Sequence, residues 1–187
     1  MFEYKIDQEL SLKLTMPKDS AELFELIEVS RAHIGEWMSW VHQIKSQQDV
    51  QDSIEQNLIE LSKQKGMHCL IVFRGKIIGS ASLKYFDWDV RSAEIGYWIS
   101  PAHEGKGVMS QTAQALTDYG FEYYKLNKIE IWAAEENVRS RSIPERLGFV
   151  LEGMRRANER INGRSHNMMI YGLLRSEWKN MSRFHRD

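Results

Sequence analysis

Glu94-Ile95-Gly96-Tyr97-Trp98-Ile99, and then His103-Glu104-Gly105-Lys106-Gly107-Val108-Met109-Ser110, form the stretch that decides how this 187-residue chain is read. The first six residues suit a half-buried strand that Pro101 closes, and a helical pattern opens after Gly107, with Leu116 and Gly120 four apart. Strand, glycine loop and helix follow one another. Glycines at 105 and 107 let the backbone come close to a ligand. The unpaired amides of a helix start, aided by the helix dipole, then suit a pyrophosphate. Lys106 either adds a cation or is solvated. The loop lacks the Lys-Ser/Thr pair of a P-loop, and Ser110 stands where a dinucleotide fingerprint needs its third glycine. Taken alone, Gly-Lys-Gly serves equally as a turn that uses glycine for positive φ.

Outward from that stretch, Leu10, Leu12 and Leu14 alternate with polar neighbours and predict a strand ending at Pro17. Leu23, Phe24 and Ile27 predict a helix over 19–30, and a broken helical stretch over 33–40 follows. Ser46 and Asp49 read as a capping box for a helix that carries Ile54, Leu58 and Leu61 on one face and stops at Gly66. Residues 67–73 and 76–86 read as a hairpin around Arg74-Gly75, and 92–99 and 128–133 as strands. A short helix over 137–147 precedes a last hairpin, 149–158 with 165–174, through Ile161-Asn162-Gly163. With no repeat, linker or charge block, this order predicts one α+β domain over 1–187 on a mostly antiparallel sheet.

Composition narrows the function classes. The net charge is −1, from 25 Lys+Arg against 26 Asp+Glu, so no global field would hold a nucleic acid or an anionic bilayer. Glu3, Lys5, Asp7 and Glu9 stand where a signal peptide needs apolar residues, and no run of 18 apolar residues occurs, which predicts a soluble cytoplasmic protein. The single cysteine, Cys69, has no intramolecular disulfide partner and reads as a small buried hydrophobe. His68 and Cys69 are adjacent in a predicted strand and face opposite ways, and no other His, Cys, Asp or Glu cluster has metal-ligand spacing, so no metal is expected.

The quoted stretch, with Asn137-Val138-Arg139-Ser140, Arg146-Leu147-Gly148-Phe149 and Glu152-Gly153, resembles the GNAT acetyltransferases. Within them it resembles the RimJ/RimL-type ribosomal-protein N-terminal acetyltransferases. Trp37-Met38-Ser39-Trp40 and the tail from Asn162-Gly163 to Tyr171 and Trp178 extend the likeness over nearly the whole chain. The resemblance implies a twisted, mostly antiparallel sheet of about seven strands flanked by helices, with a splay between the fourth and fifth. It further implies acetyl-CoA as co-substrate, its pyrophosphate on the backbone of Glu104, Gly105, Lys106, Gly107, Val108, Met109 and Ser110. Pantetheine would pair with strand backbone at Tyr97, Trp98 and Ile99, and Asn137 would contact the cofactor. A homodimer or higher homo-oligomer is also implied. Two departures stand out: Ala102 occupies a place often held by Gln or Arg, and Pro144 the place of a tyrosine that protonates the leaving thiolate.

Acyl transfer from a thioester to an amine needs a neutral amine, a stabilised oxyanion and a proton for the thiolate. An α-amine titrates near about 8 and a lysine near about 10.4, so a neutral N-terminus costs about 3.4 kcal/mol less to present. Glu94 is the candidate base and Ser140 the candidate acid. A solvent-facing carboxylate and a hydroxyl bonded to its own helix are the bland readings of the same residues. Trp37, Trp40, Tyr85, Phe86 and Trp88 are candidates for the walls of an acceptor groove, or else for ordinary core packing. The expected acceptor is the N-terminal α-amine of a protein, which the resemblance implies is a ribosomal protein; a small-molecule amine, an antibiotic or peptide, and a non-catalytic acyl-CoA-binding module are the alternatives.

Overall fold

The computed structural model describes residues 3–178. Eight strands form one sheet in the order β1-β2-β3-β4-β5-β6-β8-β7. These are β1 (Glu3–Lys5), β2 (Leu10–Leu14), β3 (Gly66–Phe73), β4 (Lys76–Asp87), β5 (Ser92–Ile99), β6 (Lys128–Ala134), β7 (Val150–Ile161) and β8 (Arg164–Leu174). It is flanked by α1 (Ser20–Gly35), α2 (Gln47–Ser62), α3 (Val108–Glu122) and α4 (Val138–Arg146), and residues 175–178 are also helical. The eighth strand beyond the expected seven is β1, whose Tyr4 packs edge-on against Tyr119 of α3.

Strand alternation sorts the core into two layers. Cys69 and Ile71 of β3 pack with Leu83, Ile95, Ile131, Leu116 and Phe121 on the α3 side. Leu70, one residue along, packs with Leu23, Ile27, Val50 and Ile54 on the α1–α2 side. Burying each such side chain contributes about 1.5–3 kcal/mol, and removing either helical layer would expose a whole sheet face. Cys69 is fully buried, and burial pushes its thiol up to about 12, so it acts as a core residue.

Every neighbouring pair of strands is antiparallel except β5 and β6, which α3 connects as a parallel crossover. That pairing runs from Ser92↔Lys128 to Ile95↔Ile131 and stops. Beyond it, β5 stays with β4 as far as Gly79↔Ile99, and β6 stays with β8 as far as Ala134↔Met168. The two halves of the sheet therefore part at Gly96. Among the described residues no strand lies beside one edge of the β5 backbone over 96–99, which leaves peptide groups open to a ligand. Among the described residues no helix is long and apolar enough to cross a membrane.

Candidate active site

The parting of β5 from β6 opens a cleft of about 820 Å³. Its floor is Tyr97, Trp98 and Ile99, and one end is the loop His103, Glu104, Gly105 and Gly107 with the first turn of α3. Gly105 and Gly107 have φ of +73° and +76°, and nothing lies within 4 Å of where a Cβ would stand on either. A side chain would be strained there by the backbone and not by crowding, so the loop presents bare backbone. Val108, Met109 and Ser110 form the first turn of α3, where amides have no intrahelical acceptor. These amides and the helix dipole fit a phosphate group.

Glu104 reaches across the mouth of the cleft. Its carboxylate meets His33 Nε2 of α1 at 2.8 Å and Arg139 Nη1 of α4 at 2.5 Å, so its charge beside the open amides of the loop is balanced by Arg139. Lys106 is turned away from the cleft lining, and its Nζ donates to the Ala102 carbonyl at 2.8 Å. Arg146 donates to Ser110 Oγ at 3.2 Å, which ties α4 to the start of α3.

Asn137 caps α4, its side-chain oxygen accepting from the Ser140 amide at 3.0 Å, and it also lines the cleft. The cap places Ser140 in the first turn, facing β5. There the Tyr97 hydroxyl donates to the Ser140 carbonyl at 3.2 Å, and Ser140 Oγ donates to the Tyr97 hydroxyl at 3.4 Å. Burial holds the Tyr97 hydroxyl protonated well above its ordinary range, outweighing the Ser140 hydrogen bond and the Arg146 charge. Two protonated hydroxyls thus stand side by side in the cleft, although Pro144 occupies the next turn of α4.

Glu94 lies outside the cleft lining; it is an odd number of residues from Tyr97 and so points to the α1–α2 face of β5, the face of Trp98. Its carboxylate pairs with Lys84 Nζ at 2.8 Å. Burial raises its pKa above the ordinary carboxylate range; Glu130 and Glu159 push the same way, while the Lys84 charge and hydrogen bond oppose them. Glu94 therefore points away from the face of β5 on which Tyr97 meets Ser140.

The aromatic candidates divide into two groups. Trp37 lines the cleft, and Trp40 packs tilted against Trp98, 6.3 Å between ring centroids. Tyr85 and Phe86 lie elsewhere, because the β4–β5 register pairs Lys84 with Glu94 and so sets them at the end of β5 away from Ile99. Phe86 packs against Trp88 and Tyr124, and Tyr85 is exposed. His33, Glu36, Glu136 and Arg139 are cleft residues that the sequence reading did not assign to an acceptor wall. Among the described residues no three His, Cys, Asp or Glu side chains converge as a metal site.

Comparison with known proteins matches residues 9–150 to the acetyltransferase (GNAT) domain. YdaF of Bacillus subtilis (strain 168), by name a candidate ribosomal N-acetyltransferase, is 34% identical over 180 residues, 96% of this chain and 98% of that protein. The ribosomal-protein-serine acetyltransferase of Escherichia coli (strain K12) is 25% identical over 170 residues, 91% of this chain and 95% of the relative. The crystal structure of the microcin C7 self-immunity acetyltransferase MccE, in complex with acetyl-CoA and AMP, superposes with a TM-score of 0.87. Its sequence identity is 27%, over 92% of this chain and 96% of that one.

Proposed function

This chain belongs to the GNAT acetyltransferase family, and from that premise we propose that it transfers the acetyl group of acetyl-CoA to the N-terminal α-amine of a protein, a ribosomal protein first. The observation that carries the reading is one continuous cleft. It runs from the bare backbone of Gly105 and Gly107, along the unpaired edge of β5, to the paired hydroxyls of Tyr97 and Ser140. A phosphate-bearing, extended cofactor fits that sequence of amides, strand edge and proton donors. The thioester supplies the acyl group and a thiolate that needs a proton. Ser140 donates it, its hydroxyl held beside that of Tyr97, and solvent entering the open cleft returns the Ser140 proton after CoA leaves. Glu94 takes the amine proton through water, as a stronger base than an ordinary carboxylate, and attack is direct with both substrates bound.

The ribosomal acceptor rests on the names of the two sequence relatives. A second reading, a small-molecule or peptide-antibiotic acceptor, is favoured by the likeness to the microcin C7 immunity enzyme. Incubation with acetyl-CoA and a panel of ribosomal N-terminal peptides and small amines, with CoA release followed by a thiol reagent, separates them. Release with an Ala- or Ser-starting basic peptide is expected. Release with small amines alone would move the acceptor to the second reading, and silence with every amine would overturn both.

Ser140→Ala tests the acid separately. The α4 cap uses the Ser140 amide and survives the change, so acetyl-CoA binding is expected to hold while kcat falls about 10²-fold. Steady-state kinetics at saturating acceptor would show it, and near-full turnover would remove Ser140 from the mechanism.

A further inference from the structure

One side of the cleft is walled by Ile34, Glu36, Trp37 and Met38, where α1 ends and the chain turns toward a short 3-10 helix, Ser39–His42. Arg31 holds this segment from within α1, donating to the carbonyls of Val41 and Ile44. The opposite side is held by the tip of the β7–β8 hairpin. Asn162 Nδ2 donates to the Gly35 carbonyl at 2.8 Å, and its Oδ1 meets His42 Nε2 at 2.9 Å. Trp37 in turn stands edge-on to His166 of β8, 6.2 Å between centroids, and His166 Nδ1 is 3.3 Å from Glu136 across the cleft wall.

Asn162 has φ of +50°, and Gly163 follows with +78°, the backbone of a tight hairpin turn. Turn chemistry alone accounts for an asparagine there, yet it requires no side-chain bond to a residue 127 positions away. Gly35 is suited to the contact from its own side. A Cβ on it would lie 3.1 Å from the His42 ring, so glycine lets His42 sit close enough to complete the clamp. The clamp joins the α1 end, which belongs to the β2–β5 half of the molecule, to the hairpin, which belongs to the β6–β8 half. It therefore spans the parting of the sheet.

We infer that Asn162 is a positioning residue for acceptor selection: its side-chain amide fixes the Ile34–Met38 wall against the β7–β8 hairpin and so sets which acceptors fit the cleft. This rests on the acetyl-transfer reading above. The wall residues 34–38 are not the glycine-loop and α3 amides that suit the phosphate, so the clamp acts first on the acceptor, although His33 beside the wall pairs with Glu104 of that loop. His42 supports Asn162 and acts through it.

Asn162→Gly is the decisive variant, because glycine keeps the left-handed turn and removes both side-chain bonds. With an acceptor that the wild type acetylates, the acceptor KM is expected to rise about fivefold while the acetyl-CoA KM stays within about twofold. Asn162→Asp, which keeps an oxygen toward His42 but loses the donor to Gly35, should behave likewise. Amide hydrogen exchange read by mass spectrometry needs no acceptor: peptides over residues 33–42 should exchange faster in Asn162→Gly, with β3–β6 unchanged. If both exchange and acceptor KM match the wild type, Asn162 is a turn residue only and the inference falls. An equal rise in both KM values would also overturn it, since the clamp would then serve the whole fold. Failure of the wild type itself to acetylate any amine would instead remove the functional reading, leaving the exchange result to judge the clamp.

Discussion

Glu94→Gln is expected to lower kcat/KM about 10²-fold while the protein remains folded. Glutamine keeps the shape and removes the ability to take a proton. Burial already favours the uncharged form of this side chain, so a neutral amide suits the site. The stability consequence has a definite sign. The folded-state pKa of Glu94 lies above its unfolded value, so the native state holds this proton more tightly, and stability falls as pH rises through the folded-state pKa. Glutamine removes that loss at neutral pH but leaves Lys84 without its 2.8 Å partner, so a thermal-unfolding midpoint close to that of the wild type is expected. The rate should show the carboxylate directly. Wild-type kcat/KM should rise with pH through a limb above the ordinary carboxylate range, and Glu94→Gln should lose that limb. Lys84→Met removes the charge that lowers the Glu94 pKa and should move the limb to higher pH. Wild-type turnover in Glu94→Gln at saturating substrates would exclude Glu94 as the base.

What was legible in the sequence follows from how local each determinant is. The capping box of Ser46 and Asp49 is formed as spacing predicts, with the Asp49 amide donating to Ser46 Oγ at 3.2 Å and the Ser46 amide to the Asp49 carboxylate at 2.9 Å. Gly107 likewise ends the loop in a left-handed conformation and starts α3. β1 was not legible, because Glu3 and Lys5 read as charged surface; only the tertiary contact of Tyr4 with Tyr119 gives this short edge strand a reason to pair. The last hairpin is longer than its hydrophobic pattern, since β7 is an exposed edge strand with two register shifts, and exposure removes the alternation that marks a buried strand.

The candidate site divides in the same way. The phosphate loop, strand edge and α4 start are contiguous in sequence, and their spacing marks them. The wall proposed for the acceptor is assembled from the end of α1, the turn before α4 and β8, and no local pattern joins Trp37 to His166 or Glu104 to His33. Aromatic character alone could not separate Trp37 and Trp40 from Tyr85 and Phe86. The strand register does, by counting which end of β4 lies beside Ile99.

Gly79→Ala is expected to be the most damaging single-methyl change in the sheet, because β4 and β5 depend on a close approach at this position. A Cβ on Gly79 would stand 2.3 Å from the Trp98 carbonyl oxygen and 2.9 Å from the Ile99 Cα. Both are backbone atoms of β5, so no rotamer change relieves the overlap and β4 must move away from β5. Gly172→Ala makes the contrast. Its Cβ would meet the Glu152 carboxylate at 2.3 Å, the far end of a side chain that can swing aside, so its cost should stay near about 1 kcal/mol. For Gly79→Ala a loss of about 3 kcal/mol is expected, lowering Tm on the order of 6–10 °C. The same displacement would shift the peptide groups of Tyr97, Trp98 and Ile99, whose free edge lines the cleft. Acetyl-CoA binding, read by calorimetry below the unfolding transition, should therefore weaken about tenfold in Gly79→Ala and stay unchanged in Gly172→Ala. A Gly79→Ala protein with wild-type stability and wild-type affinity would mean that β4 and β5 separate freely, and that the strand edge is not what orders the cofactor.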